Sequence, residues 1–171
     1  AWRCRLGVAR GTQTAYIGTW YLPGDYWPTG NSLDAAIRGD GFFQVRLPGG
    51  TTGSTRDGSC GLDSTGQLVS NGGLPLQSDN GGPMVVPADS LAVHLDDTGQ
   101  LVTTDATGAE QFIGRLCLSQ FPNNGGLLAS GQNIWTPTVA SGAASVVVQD
   151  TTAATVIVSG AMDGSTASMA Y

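Results

Sequence analysis

One histidine, His94, is the only side chain of its type in the sequence and the natural candidate for acid–base chemistry near neutral pH. It lies in a segment where Leu91, Val93 and Leu95 alternate with other residues. A period of two predicts a strand with these three on its buried face and His94 in solvent. A Ser-His-Asp triad needs a nucleophile beside the base and a third group that orients it. The sequence offers neither, so we predict a surface histidine without a catalytic role.

A second candidate for catalysis is the segment QSDNGGP at residues 77–83, which resembles the GDSGGP nucleophile loop of chymotrypsin-like proteases. Asn80 stands where the serine of that loop would be. An amide nitrogen is not a nucleophile, and no Ala-His-Cys segment supplies a base. We therefore predict a polar loop here, and the sequence argues against a hydrolase.

The pair Asp96-Asp97 suggests a calcium site, but its surroundings do not fit one. An EF-hand loop needs acids at alternating positions, a glycine at position six and a bidentate glutamate at position twelve. Instead, residues 95–103 (LDDTGQLVT) repeat residues 62–70 (LDSTGQLVS). Both are predicted strand–turn–strand units in which the aspartate bonds the backbone of its own turn. No metal or other cofactor is predicted.

The three cysteines, Cys4, Cys60 and Cys117, are odd in number and far apart in the sequence. A disulfide framework or a zinc site needs more cysteines or partner histidines. We predict that Cys60 and Cys117 are small buried hydrophobic residues. The sequence leaves open the exposure of Cys4 and whether any pair oxidises.

Residues 1–29 are rich in aromatic residues, glycine and proline, and we predict an extended lead-in that packs on the core. Such a cluster can also form a sugar-binding platform, which would need several polar side chains beside the rings. Only Asp25 and Asn31 are near. The alternative function is an extracellular β-rich binding module, with glycan as a candidate ligand. The aromatic residues of its binding site would be Trp20, Tyr21, Tyr26 and Trp27.

The composition indicates the kind of fold that carries these residues. Glycine accounts for 26 of 171 residues, charged residues for 12%, lysine is absent and Glu110 is the only glutamate. Long exposed helices need such charged residues, so an all-β fold with little or no helix is predicted. A net charge of −6 argues against nucleic-acid binding. No apolar run is long enough for a membrane span, and the first residues lack the apolar core of a cleaved signal peptide.

Residues 30–76 read as short apolar runs separated by turns, which predicts a β-meander of hairpins. Leu33, Ala35 and Ile37 alternate with Asp34 and Ala36, which are predicted to face solvent. After Gly39-Asp40-Gly41, a second alternating run carries Phe43, Val45 and Leu47 on its buried face, and further turns lie at 48–50, 56–58 and 63–66.

The second half of the chain is also predicted to be β-structure. Residues 112–121 are expected to form one long strand, with Leu116 and Leu118 on the side opposite Cys117. The β-branched runs at 145–149 and 155–159 are expected to pair as a hairpin across residues 150–154. Residues 30–171 are thus predicted to form one compact domain, with a sandwich-like or barrel-like arrangement.

Ordered motifs along residues 24–142 resemble the bacterial flagellar rod and hook family, most closely its distal-rod members. Residues 29–45 match TGN-x-LD-x-AI-x-G-x-GFFQV, residues 54–69 are similar to YTRDGSF-x-LD-x-x-GQLV, and residues 113–142 resemble the family's segment ending in T-x-ASG. Ser54 and Cys60 stand where the family has tyrosine and phenylalanine. The family's long terminal helices have no counterpart in this sequence, so the chain resembles its middle β-domain.

The resemblance implies a structural subunit, not an enzyme, in the helical axial assembly that transmits torque through the basal body. It implies self-assembly of the full-length form, contacts with neighbouring rod and hook proteins, and export without a cleaved signal peptide. The β-domain alone is expected to be monomeric. The motif residues to which we assign roles in the fold are Asn31, Leu33, Asp34, Ile37, Gly39, Gly41, Phe42, Phe43, Arg56, Asp57, Gly58, Gly66 and Phe121, with Val45, Leu62, Leu68 and Leu116 as further core residues.

Overall fold

A computed structural model of the chain describes residues 26–147 and 155–163. These residues form antiparallel β-structure with a single short 3₁₀ turn, Asn124–Gly126, which confirms the all-β prediction. No helix in this part of the chain is long and apolar enough to cross a membrane. The strands are β1 (Tyr26–Pro28), β2 (Ala35–Arg38), β3 (Phe42–Arg46), β4 (Thr52–Thr55), β5 (Cys60–Leu62), β6 (Leu68–Ser70), β7 (Ala92–Leu95), β8 (Gln100–Thr104), β9 (Glu110–Arg115), β10 (Leu118–Gln120), β11 (Leu128–Gly131), β12 (Ile134–Thr136), β13 (Ser145–Val147), β14 (Val156–Ser159) and β15 (Ala161–Asp163).

The strands form one six-stranded sheet and several smaller ones. The large sheet has the order β11-β12-β4-β3-β10-β13, and β7-β8-β9 form a three-stranded sheet. The pairs β1–β15, β2–β14 and β5–β6 complete the set. Strands β3 and β4 are joined by the tight turn at 48–50, where Gly49 and Gly50 adopt positive φ values.

The main core lies between these sheets and contains most of the predicted core residues. Ile37, Phe43 and Val45 from the first half of the chain pack with apolar residues of the second half. A smaller cluster contains Phe42, Phe121 and Leu127. Leu62 was predicted to be a core residue, but it is 39% exposed, whereas its hairpin partner Leu68 is buried. The main core also includes Leu68, Leu76, Met84, Leu95, Leu101, Leu116, Leu118 and Ile157.

The predicted meander is only partly correct. The hairpins β3–β4 and β5–β6 form as expected, but β2 pairs with β14 and not with β3. The segment 34–37 is also covered on both sides, so Asp34 and Ala36 are buried although the alternation predicted them in solvent. The pattern failed here because a strand buried on both faces does not alternate.

Three predictions for the second half of the chain are wrong. Residues 112–121 are not one strand, because β9 and β10 belong to different sheets. The expected hairpin at 145–159 does not form: β13 pairs with β10, whereas β14 pairs with β2. Leu91, predicted to share a buried face with Val93 and Leu95, precedes β7 and is exposed.

Candidate functional site: the Arg56 junction

Arg56 follows strand β4, and a short polar turn fixes the backbone beside it. The Asp57 amide donates a hydrogen bond to Thr55 Oγ1 (3.1 Å). The Asp57 carboxylate in turn accepts one from the Ser59 amide (3.0 Å). Local bonds of this kind favour a turn over continued sheet pairing.

The Arg56 guanidinium binds the connection between β2 and β3. Its Nη1 donates to the carbonyl of Gly41 (3.1 Å), and its Nη2 donates to those of Gly39 (3.1 Å) and Ile37 (3.3 Å). Strands β2 and β3 are not paired with each other, and the Gly39 and Gly41 carbonyls between them bind this side chain. A guanidinium suits this task because it is planar and carries five donors.

The remaining carbonyl of this connection, that of Asp40, is also bound. It accepts hydrogen bonds from Gln120 Nε2 (2.6 Å) and from Thr155 Oγ1 (2.6 Å). Gly39 has a φ of 104°, a value that favours glycine. Gly41 has no such value; a Cβ there would lie 3.2 Å from the Thr155 methyl, closer than an ordinary van der Waals contact.

Arg56 also contacts an aromatic ring and a carboxylate. Its Cζ lies 5.9 Å from the centre of the Phe42 ring, which makes an edge contact with Phe121 at 5.8 Å. Its Nη2 lies 3.7 Å from Asp163 Oδ2 at the end of β15. We call the set of Arg56, residues 37–41, Phe42 and Asp163 the Arg56 junction.

Gly58 lies on the other side of the junction, against strand β2. A Cβ at this position would be 1.4 Å from the Ala35 carbonyl oxygen, and the Ala35 amide donates to the Gly58 carbonyl (3.0 Å). Gly58 does not have a positive φ, so the feature that excludes a side chain here is the close approach of the Ala35 backbone. Gly66, in contrast, has a φ of 79°.

Asn31 and Asp34 form a polar cluster next to Cys60 at the start of β5. Asn31 Nδ2 donates to Asp34 Oδ1 (2.9 Å), and Asn31 Oδ1 accepts from the Leu33 amide (3.3 Å). The Asp34 carboxylate also accepts from the Cys60 amide (3.3 Å). Asp34 is buried and Leu33 half-buried. These bonds satisfy a buried carboxylate, which would otherwise be costly.

Three aspartates, Asp63, Asp96 and Asp105, each build the same turn. Each carboxylate accepts hydrogen bonds from the amide and hydroxyl of the threonine two positions later and from an amide four positions later. The similarity between residues 62–70 and 95–103 identifies only the first two turns. The third, DATGA at 105–109, was missed because the residues on either side of it differ. The shared Asp-x-Thr-Gly spacing could have found it.

These hydrogen bonds lower the pKa of all three carboxylates. The threonine hydroxyl is the largest cause for Asp63 and Asp105. Burial acts on the pKa of Asp96 in the opposite direction and is its largest single effect, but the bonds from Thr98 and Gln100, together with Arg115, outweigh it. In the described part of the chain, no group of three or more His, Cys, Asp or Glu side chains could hold a metal ion.

The other candidate residues are dispersed over the domain. His94 is half-buried in β7, opposite Val102, so the prediction that it faces solvent holds only in part. Asn80 is exposed in a turn that the Gly81 amide closes on the Ser78 carbonyl (2.8 Å). Trp27 is 65% exposed in β1. Trp20 and Tyr21 of the suggested glycan platform lie outside the described residues, as does most of the predicted 1–29 lead-in.

Both described cysteines are buried, as predicted, and both are free thiols. Burial raises the pKa of Cys60 to about 12, and the nearby Asp34 and Asp57 carboxylates add to the effect. Burial likewise raises the pKa of Cys117 to about 11, with a contribution from Asp79. Both thiols are therefore protonated at neutral pH and poor nucleophiles. Cys4 lies outside the described residues.

Comparison with known proteins relates this arrangement to the flagellum. Residues 36–103 match the family described as flagellar hook protein FlgE/F/G D1 domain. The chain is 39% identical over 140 residues, 80% of its length, to the flagellar basal-body rod protein FlgG of Buchnera aphidicola subsp. Schizaphis graminum. It is 33% identical over 142 residues, 83% of its length, to the FlgG protein of Bacillus subtilis. It is 38% identical over 98 residues, 53% of its length, to the flagellar basal-body rod protein FlgF of Rhizobium meliloti.

These matches cover only part of each relative. The chain accounts for 52% of the Buchnera FlgG protein, 53% of the Bacillus protein and 40% of the Rhizobium FlgF protein. The chain thus spans about half the length of the FlgG proteins it matches. The names of these relatives give no support to the glycan-binding alternative.

Proposed function

We propose that this chain, a member of the flagellar rod and hook family, is a structural subunit of the bacterial flagellar basal-body rod. Residues 36–103 match the FlgE/F/G D1 domain of that family, and the chain is similar to FlgG proteins. The carrying observation is the similarity to basal-body rod proteins over 80% or more of the chain. On this proposal, subunits stack helically and transmit torque along the axis.

The physical character of the domain supports a load-bearing role. Its sheets are joined by side-chain bonds at the Arg56 junction, and its core contains residues from both halves of the chain. A charged fraction of 12% lets neighbouring faces approach with little loss of charge hydration. Contacts between copies that do not close into a ring would then extend as a helical filament.

Further parts of the proposal concern partners and location. The full-length form would contact copies of itself and neighbouring rod and hook proteins, at the level between the periplasm and the outer membrane, after flagellar export. It would act as a scaffold and not as an enzyme. In this role the motif residues from Asn31 to Phe121 maintain the shape of the subunit.

The test is whether the chain is a component of the basal body. Hook–basal bodies purified from the encoding bacterium should contain peptides of this chain, identified by mass spectrometry, in amounts comparable to those of other rod proteins. A strain that lacks the gene is the control and should lose both these peptides and motility. Basal bodies of normal composition from which the chain is absent would refute the proposal.

A second experiment tests the expected monomer. If the segments that carry the main axial contacts lie outside this sequence, the 171-residue chain should sediment as a monomer at micromolar concentration. Sedimentation velocity measures this directly. Long polymers at that concentration would instead mean that the β-domain carries the axial contacts itself.

A further inference from the structure

The chain enters and leaves the described domain at the same place. Strands β1 and β15 pair, so Tyr26 lies opposite Asp163, while residues 1–25 precede this pair and residues 164–171 follow it. A two-stranded pair is only marginally stable alone, so the stability of the β1–β15 pair depends on its attachment to the core.

Hydrogen bonds between described residues attach this pair to the rest of the domain. The Gly160 amide donates to the Asp34 carbonyl (2.7 Å), and Ser59 Oγ donates to Met162 Sδ (3.5 Å). At the end of β15, Asp163 forms an ion pair with Arg56. The same guanidinium binds the Ile37 carbonyl in β2 and the Gly39 and Gly41 carbonyls between β2 and β3, and it lies over Phe42.

We propose that Arg56 is a latch that fastens the β1–β15 pair to the core of the domain. The Arg56 side chain contacts strand β15, the connection from β2 to β3 and the smaller core cluster around Phe42. The use of this latch in carrying torque rests on the proposed function, whereas the latch itself does not.

The chemistry of the site favours arginine in this position. The Arg56 and Asp163 side chains are only 13% and 18% exposed, so water screens their attraction less than at an open surface. The fork of the guanidinium can serve several carbonyls and a carboxylate together, which a lysine ammonium cannot do in the same geometry. The three carbonyls hold Arg56 in place, and Asp163 is thereby fixed relative to the core.

The latch can be tested by amide hydrogen exchange on the full chain, read by mass spectrometry. The variants are Arg56→Met, which keeps the length of the side chain, and Asp163→Asn, which removes only the charge at the exit. Arg46→Met, at an exposed arginine of β3, is the matched control. We expect Arg56→Met to speed exchange of the amides of Tyr26, Trp27, Thr29 and residues 160–163 by at least about tenfold, as for a local opening, with β8 and β9 unchanged.

Asp163→Asn is expected to give a smaller increase, about threefold or more, confined to the same residues. It decides the matter if Arg56→Met proves too unstable to measure. If the amide exchange rates of Asp163→Asn stay within about twofold of those of the parent chain, the latch is refuted. A uniform increase of exchange over the whole domain would also refute it. Because the measurement uses the isolated chain, its result is independent of whether the chain is found in basal bodies.

Discussion

Replacing Gly58 by alanine tests whether the close approach of two backbones, and not turn formation, requires glycine there. The added methyl carbon would lie 1.4 Å from the Ala35 carbonyl oxygen, whereas ordinary contacts begin near 3.4 Å. The two segments must therefore separate by about 2 Å, the difference of these distances. Ala35 and Ala36 are fully buried, so β2 has little room to move.

The expected loss follows from two effects. Overpacking a buried site costs about 1–3 kcal/mol. Separation of the segments also breaks the bond from the Ala35 amide to the Gly58 carbonyl, and leaving such groups buried without partners costs about 1–3 kcal/mol. Alanine also restricts the conformations of the unfolded chain, which offsets the loss of stability by about 0.4–1 kcal/mol. We expect Gly58→Ala to lower the free energy of unfolding by about 2–5 kcal/mol.

Gly61→Ala is the matched control. Gly61 lies three positions further along, has no positive φ, and an added Cβ would meet nothing within 4 Å. Its free energy of unfolding should stay within about 1 kcal/mol of the parent chain. Urea unfolding followed by circular dichroism gives both values, provided that the slopes agree. If Gly58→Ala is within about 1 kcal/mol of Gly61→Ala, the backbone contact is not as close as described.

Three further predictions follow from the core, the turns and the thiols. Phe43→Ala should lower the free energy of unfolding by about 3–5 kcal/mol, since Phe43 is fully buried, and a loss under about 1 kcal/mol would contradict its core position. The pKa of Asp63, Asp96 and Asp105 is lowered on folding, so the stability they contribute is present above their usual value of 3.8 and is lost as the pH falls below it toward the folded pKa. Asp96→Asn, which keeps the accepting oxygen but does not titrate, should weaken this acid dependence of the urea midpoint; an unchanged dependence would contradict the role of Asp96. Cys60 and Cys117 should resist iodoacetamide in the folded chain at about pH 8 and react in urea, because burial raises their pKa, and peptide mapping would reveal any native labelling.

The sequence by itself determined the parts of this protein that depend on neighbours along the chain. The hairpins β3–β4 and β5–β6 follow from alternation and closely spaced turns, because their partners are a few residues apart. The aspartate turns follow from side chains that bond their own backbone. The low charge and the ordered motifs were sufficient for the all-β class and for the family.

Only the tertiary structure decided which distant strands meet. Ile37 pairs with Ile157, and Ser119 pairs with Val146, although nearer β-branched segments were available. Alternation shows which face of a strand is apolar but carries no information about its partner. The separation of β2 from β3 also frees the carbonyls that Arg56 binds, so the role of Arg56 depends on pairings that its sequence neighbours do not encode.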